Sequence, residues 1–228
     1  LSELANRYRS ITERIAKAAD SCGRSPDEIT LIVVTKNHPV QLALELLDLG
    51  ARDFGENRDQ EAAPKAAELA QASDQPVNWH FIGQLQTNKV KSVLGYASEL
   101  HSLDRASLLE ELIKRTAERP EPLPVFIQVN LTSDPARGGV NPTELEDFAT
   151  RVLQSSGLRL RGLMGVAGLG VDPRVDFERL RSLRELITGL DASAAGLSMG
   201  MSEDFEAAIE LGATHLRIGS AITGIRPT

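Results

Sequence analysis

Eight short apolar runs of high β-propensity punctuate this chain, and each is followed by a segment with helical periodicity and a helix start or stop signal. That alternation constrains the fold more than any other feature. Strand followed by helix, repeated, builds a parallel sheet with helices packed on it, and eight consecutive units without a Ser/Gly/Pro linker favour a closed (β/α)8 TIM barrel over an open doubly wound sheet. The strands are expected at 30–35, 51–54, 78–82, 99–103, 124–130, 159–164, 195–199 and 214–218. Helices are expected over 39–49, from Asn57 onward, and over 86–96, 104–118, 141–154, 173–190 and 203–211, with a short terminal helix after the last strand. An extra N-terminal helix over 2–21 precedes the first strand, because Leu4, Tyr8, Ile11, Ile15 and Ala18 recur at helical spacing and Gly23 follows as a stop. Pro64 should bend or break the helix that starts near Asn57. The barrel uses all of 1–228 as a single domain.

Composition narrows the partners. With 25 Lys and Arg against 32 Asp and Glu, the formal charge of -7 argues against nucleic acid and anionic membrane as partners, so any phosphate must be held locally. Cys22 is the only cysteine, which excludes an intrachain disulfide and a cysteine-based zinc site and fits a reducing compartment. No metal site is expected. No apolar run approaches the roughly 18 residues of a membrane span, and the N-terminus lacks a signal-peptide core, so a cytoplasmic location is expected.

In such a barrel the binding residues gather at the C-terminal ends of the strands, with phosphate held in the loops after strands seven and eight. Strand one runs Leu31-Ile-Val-Val-Thr-Lys36, delivering Lys36 to that edge as either a surface charge or a reactive amine. After strand seven comes Ser198-Met-Gly-Met-Ser202, and after strand eight Arg217-Ile-Gly219-Ser220, two small, hydroxyl-bearing loops that serve as turns or as two halves of a phosphate cradle. Alternation along strand three puts Asn78, His80 and Ile82 on one face and Trp79 and Phe81 on the other. The aromatic pair should meet the outer helices, leaving His80 inward near the mouth beside Lys36, as core residue or catalyst. Asn57 sits at a strand-to-helix junction, where helix capping and ligand contact are compatible. Arg217 shares its face with His215 and Gly219 and, if inward, needs an acceptor. A lysine, an inward arginine and a phosphate cradle together suit a cofactor with an aldehyde, a ring nitrogen and a phosphate, which describes pyridoxal 5′-phosphate (PLP).

Several longer stretches sharpen this: Val34-Thr-Lys36, Phe54-Gly-Glu-Asn57, Trp79-His-Phe-Ile-Gly83, Leu85-Gln-Thr-Asn-Lys89, Gly162-Leu-Met164, Leu197-Ser-Met-Gly-Met-Ser202 and Arg217-Ile-Gly-Ser220. In order and along nearly the whole chain they resemble the pyridoxal phosphate homeostasis protein family. The resemblance implies a barrel of the alanine racemase N-terminal type. It further implies that Lys36 carries PLP as a Schiff base, that Arg217 lies at the pyridine nitrogen, and that Ser202, Gly219 and Ser220 hold the phosphate. Asn57, His80, Ser198 and Met199 fall on motif positions that line the pocket.

The expectation is a binding protein that keeps PLP available without substrate turnover, acting as a monomer and handing PLP to apo PLP-dependent enzymes. The alternative is a PLP-dependent amino-acid racemase with His80 or another inward group as base. Racemases of this fold draw the opposing acid-base residue from a second domain and a subunit interface, whereas this chain ends at Thr228 directly after the eighth unit.

Overall fold

A computed structural model describes residues 2–132, 134–168 and 170–224. The outermost residues of the expected single domain, 1 and 225–228, lie outside that range. Eight parallel strands close into a barrel in sequence order, β1-β2-β3-β4-β5-β6-β7-β8. They are β1 (Thr30–Val34), β2 (Asp53–Glu56), β3 (Asn78–Phe81), β4 (Glu99–Leu103), β5 (Leu123–Gln128), β6 (Leu158–Met164), β7 (Gly196–Ser198) and β8 (His215–Ile218). The helices are α1 (Glu3–Ser21), α2 (Val40–Asp48), α3 (Asp59–Ala72), α4 (Val90–Val93), α5 (Ala106–Thr116), α6 (Leu145–Leu153), α7 (Pro173–Leu190), α8 (Phe205–Glu210) and α9 (Ser220–Thr223). None of the described helices is long and apolar enough to cross a membrane.

Local chemistry explains the boundaries. Ser2 caps α1 by accepting from the Ala5 N–H, and Asp172 caps α7 by accepting from the Arg174 N–H, with Pro173 at the first helical position. α1 lies against α8 and α9 and buries Leu4, Ile11 and Ile15 there. The rest of the core fills the ring between strands and helices, where the outward residues Val33, Phe54, Trp79, Phe81 and Leu100 are buried.

Three expectations need correction. Of the bend or break expected at Pro64, the break does not occur: α3 runs through it. The ring lies on the exposed face while Ala62, Ala66 and Leu69 are buried opposite, so the proline costs one hydrogen bond at the Gln60 carbonyl, where water can replace it. The helix expected over 86–96 shrinks to a 3-10 turn at Thr87–Lys89 and the four residues of α4, because Gly95 and Tyr96 close tight turns onto the Ser92 and Val93 carbonyls. β2 starts two residues later than expected, which makes Glu56 a strand residue and brings Asn57 to the strand's carboxyl end.

Strand pairing fixes what faces inward. Ile32 pairs with Arg217 and Val33 with Ile218, so the end of β1 and the end of β8 are neighbours. At β6 and β7 the backbones touch: Gly162 pairs with Gly196 at φ 147°, and a Cβ on Gly162 would collide with the Gly196 carbonyl.

Candidate functional site

β1 ends at Val34, and Lys36 stands two residues beyond it in a turn, a step past the strand end expected for it. Asn37 holds φ 62°, the left-handed conformation that asparagine tolerates better than most residues. The turn is braced from below. The Asn37 N–H donates to Glu61 (2.9 Å), and the buried Lys65 ammonium donates to the Thr35 carbonyl (2.9 Å) and to Glu56. Glu56 also accepts from the Thr35 hydroxyl at 2.7 Å. Burial pushes the Glu56 carboxyl above its usual range, against the pull of Lys65 and Thr35. Lys36 itself is half-buried, and its amine makes no hydrogen bond or ion pair with the described residues.

Beside this turn, the loops after β7 and β8 meet. Ser220 donates to the Ser202 hydroxyl and the Ala221 N–H to the same oxygen, both at 3.3 Å. Among the described residues the N–H groups of Gly200, Ser202 and Ser220 have no acceptor. A Cβ on Gly219 would meet Val34, at the end of β1, only at an ordinary 3.5 Å, so protein packing does not require glycine there. Gly200 does need to be glycine: it adopts φ 94°, and a Cβ would lie 2.7 Å from Ala208.

Arg217 points inward, as expected, and is buried. Its guanidinium donates to the Ser198 hydroxyl (2.7 Å) and the Gly165 carbonyl (2.9 Å), both neutral acceptors, and uses two of its five N–H groups. Burial pulls its pKa down to about 10, with Asp204 opposing. Asn57 does not cap α3; Arg58 is the N-cap residue and contributes no side-chain bond. The Asn57 Oδ1 is instead buried without a partner among the described residues. A Cβ on Gly83 would collide with the Asn57 backbone, so glycine there lets the two segments cross.

Two expected site residues are placed elsewhere. Met199 is fully buried in the core; since Ser198 faces inward, the Met199 side chain faces the helices, and only its backbone is near the site. His80 points into the barrel but not to Lys36. Its Nε2 is 2.9 Å from Asp53 Oδ1, and its Nδ1 is 3.0 Å from His101 Nε2 and 3.3 Å from Glu99 Oε2. Asp53 and Glu99 open β2 and β4, so these contacts lie toward the N-terminal end of the barrel, below the mouth.

The rest of this cluster was not among the residues expected at the site. His101 Nδ1 is 2.8 Å from the Ser198 hydroxyl, Glu99 also faces Arg161 and His215, and all of these lie on inward strand positions. The signal was the period of two in Glu99-Leu-His101 and His215-Leu-Arg217, which puts ionisable residues where a barrel usually carries branched apolar ones. Burial pushes His101 down to about 3 and His215 down to about 4, so both rings are neutral at pH 7. For His80, burial is outweighed by Asp53 and Glu99, which raise its pKa. The histidine contacts hold Glu99 well below the carboxylate range despite its burial.

Fold and site together define a (β/α)8 barrel with a lysine amine unpaired among the described residues, a buried arginine and two serine-bearing loops at its C-terminal mouth. Residues 7–227 match the family described as alanine racemase, N-terminal domain. A pyridoxal phosphate homeostasis protein of Pseudomonas aeruginosa is 39% identical over 226 residues, covering 99% of this chain and 97% of that protein. The Escherichia coli K12 protein of the same name is 38% identical over 230 residues, covering 99% and 98%. The solved structure of PipY from Synechococcus elongatus PCC7942, with PLP bound, superposes with a TM-score of 0.85 at 32% identity, covering 97% of this chain and 100% of that one. The chain belongs to the alanine racemase N-terminal domain family and, within it, to the pyridoxal phosphate homeostasis proteins.

Proposed function

We infer that this protein binds pyridoxal 5′-phosphate at the barrel mouth, covalently and reversibly on Lys36, and serves intracellular PLP homeostasis without turning over a substrate. The observation that carries the reading is the meeting of β1 and β8. Pairing of Val33 with Ile218 sets the Lys36 turn next to Gly219-Ser220, with Ser202 bonded to that loop. The donor set fits the group: unpaired N–H groups at Gly200, Ser202 and Ser220 suit a phosphate, spare guanidinium hydrogens on Arg217 suit a ring nitrogen, and the orphaned Asn57 Oδ1 can accept from the ligand. When bound, PLP supplies an aldehyde that condenses reversibly with an amine and releases water.

The protein's own residues do the holding. Lys65, through the Thr35 carbonyl, and Glu61, through the Asn37 N–H, fix the turn that presents the Lys36 amine. Ser198 and the Gly165 carbonyl hold the Arg217 guanidinium in place. What supports a carrier over a racemase is the position of His80, whose two ring nitrogens are engaged with Asp53, His101 and Glu99 and not with the Lys36 turn. In this reading one barrel domain, residues 1–228, works as a cytoplasmic monomer that releases PLP to apo PLP-dependent enzymes.

Borohydride reduction of the PLP-loaded protein followed by peptide mapping tests the assignment. A pyridoxyl adduct on the Lys36 peptide is expected, and an adduct absent from Lys36 or confined to surface lysines overturns it. Racemisation assays over a panel of L- and D-amino acids should show no turnover; robust turnover dependent on Lys36 would sink the carrier reading. Restored activity of an apo-enzyme mixed with the loaded protein checks delivery, and sedimentation checks the monomer.

A further inference from the structure

Inside the barrel, below the mouth, His80 Nδ1, His101 Nε2 and Glu99 Oε2 form a triangle with edges of 3.0, 3.2 and 3.3 Å, and all three side chains are buried. With protons alone, both ring nitrogens can donate to Glu99, but they then stand 3.0 Å apart with no hydrogen bond between them, which is a close N···N contact. A cation at the centre instead takes a lone pair from each of the three atoms at once. Ligands about 2.0–2.1 Å from a tetrahedral ion stand about 3.3 Å from one another, which is close to the spacing of this triangle.

We propose that His80, Glu99 and His101 bind a divalent first-row transition-metal ion, Zn²⁺ foremost, in the lower barrel. The surroundings are those of a ligand set. His80 Nε2 faces the Asp53 carboxylate at 2.9 Å and His101 Nδ1 faces the Ser198 hydroxyl at 2.8 Å, so each ring has an orienting partner on its far nitrogen. Arg161 occupies Glu99 Oε1 at 3.2 Å and leaves Oε2 as the donor atom. His215 is the nearest fourth donor: its Nε2 is 3.6 Å from Glu99 Oε2, and its Nδ1 is bonded to Thr214 at 2.8 Å. Two imidazoles and a carboxylate match zinc and its neighbours better than Mg²⁺ or Ca²⁺, which take mostly oxygen. Arg161 and Asp53, with side chains 40% and 23% exposed, mark an approach from the N-terminal face. This site is distinct from the Lys36 pocket, although Ser198 touches both His101 and Arg217.

The test uses the purified full chain, stripped with a chelator and titrated with Co²⁺ and then Zn²⁺. One equivalent of Co²⁺ is expected, with visible ligand-field bands that Zn²⁺ abolishes. Diffraction from zinc-soaked crystals is expected to show an anomalous peak between His80, Glu99 and His101. Glu99→Gln should weaken binding at least 100-fold, and Asp53→Asn, which touches no ion and is partly exposed, by about 10- to 100-fold. Should Glu99→Gln fail to fold by circular dichroism, Asp53→Asn decides. Absence of stoichiometric uptake by the wild-type chain, or uptake unchanged in the folded variants, overturns the proposal.

Discussion

Replacing Lys65 by Met isolates the buried brace under the Lys36 turn. Lys65 and Glu56 are 6% and 1% exposed in their side chains, and the ammonium bonds both Glu56 and the Thr35 carbonyl. Methionine fills similar space, so the cost is electrostatic. Left alone, Glu56 keeps the Thr35 hydroxyl on Oε1 and has nothing on Oε2, which lacks a partner even in the wild type. An unpaired charge at this depth would cost more than protonating it, and taking a carboxyl of ordinary pKa to its neutral form at pH 7 costs about 3.7 kcal/mol. That value caps the carboxylate's contribution. Adding about 1 kcal/mol for the Thr35 carbonyl's lost donor gives a loss of at most about 4 to 5 kcal/mol, the range for breaking a buried pair.

The pH dependence follows from the sign of the shift. Burial already raises the Glu56 pKa in the folded wild type, and without Lys65 it rises further. The folded state then binds more protons than the unfolded one between the unfolded value near 4.3 and the raised folded value, so stability falls as pH rises through that window. The deficit of Lys65→Met should therefore shrink from at most about 4 to 5 kcal/mol at pH 7 to at most about 2 at pH 5. Urea denaturation followed by circular dichroism at both pH values, on wild type, Lys65→Met and the double variant Glu56→Gln/Lys65→Met, measures this. The double variant should recover most of the loss. A loss below about 1 kcal/mol at pH 7, or one that does not shrink at pH 5, refutes the reasoning.

Three other changes probe separate parts of the barrel. Gly162→Ala forces a Cβ into the Gly196 carbonyl at a φ of 147°, and expression as insoluble or unfolded protein is expected. Ser198→Ala removes the acceptor shared by Arg217 and the partner of His101; chemical denaturation should show a loss of about 1–3 kcal/mol, with the Lys36 adduct still recovered by mass mapping. Asp172→Ala deletes the α7 cap, and thermal unfolding should report a loss of about 1 kcal/mol.

What the sequence disclosed depended on whether a residue's role is set locally. Strand and helix order, the inward turn of Arg217 and the position of Lys36 at the carboxyl edge follow from periodicities of two and 3.6 along single elements, and these were legible. Errors arose where distant contacts decide. Pro64 is harmless only because α3 buries its opposite face, and Asn57 forgoes capping because Arg58 opens the helix. The brace under Lys36 joins residues 35, 56 and 65 from three elements, and no spacing in the chain announces it. The strongest case is His80. Its inward direction was readable, yet its height in the barrel depended on the register of β2, β3 and β4, where His80 pairs with Gly55 and Glu99. A two-residue change of register keeps a side chain inward yet moves it by a whole layer, so the same alternation that identified His80 could not say whether it faced the lysine above or the glutamate at its own level.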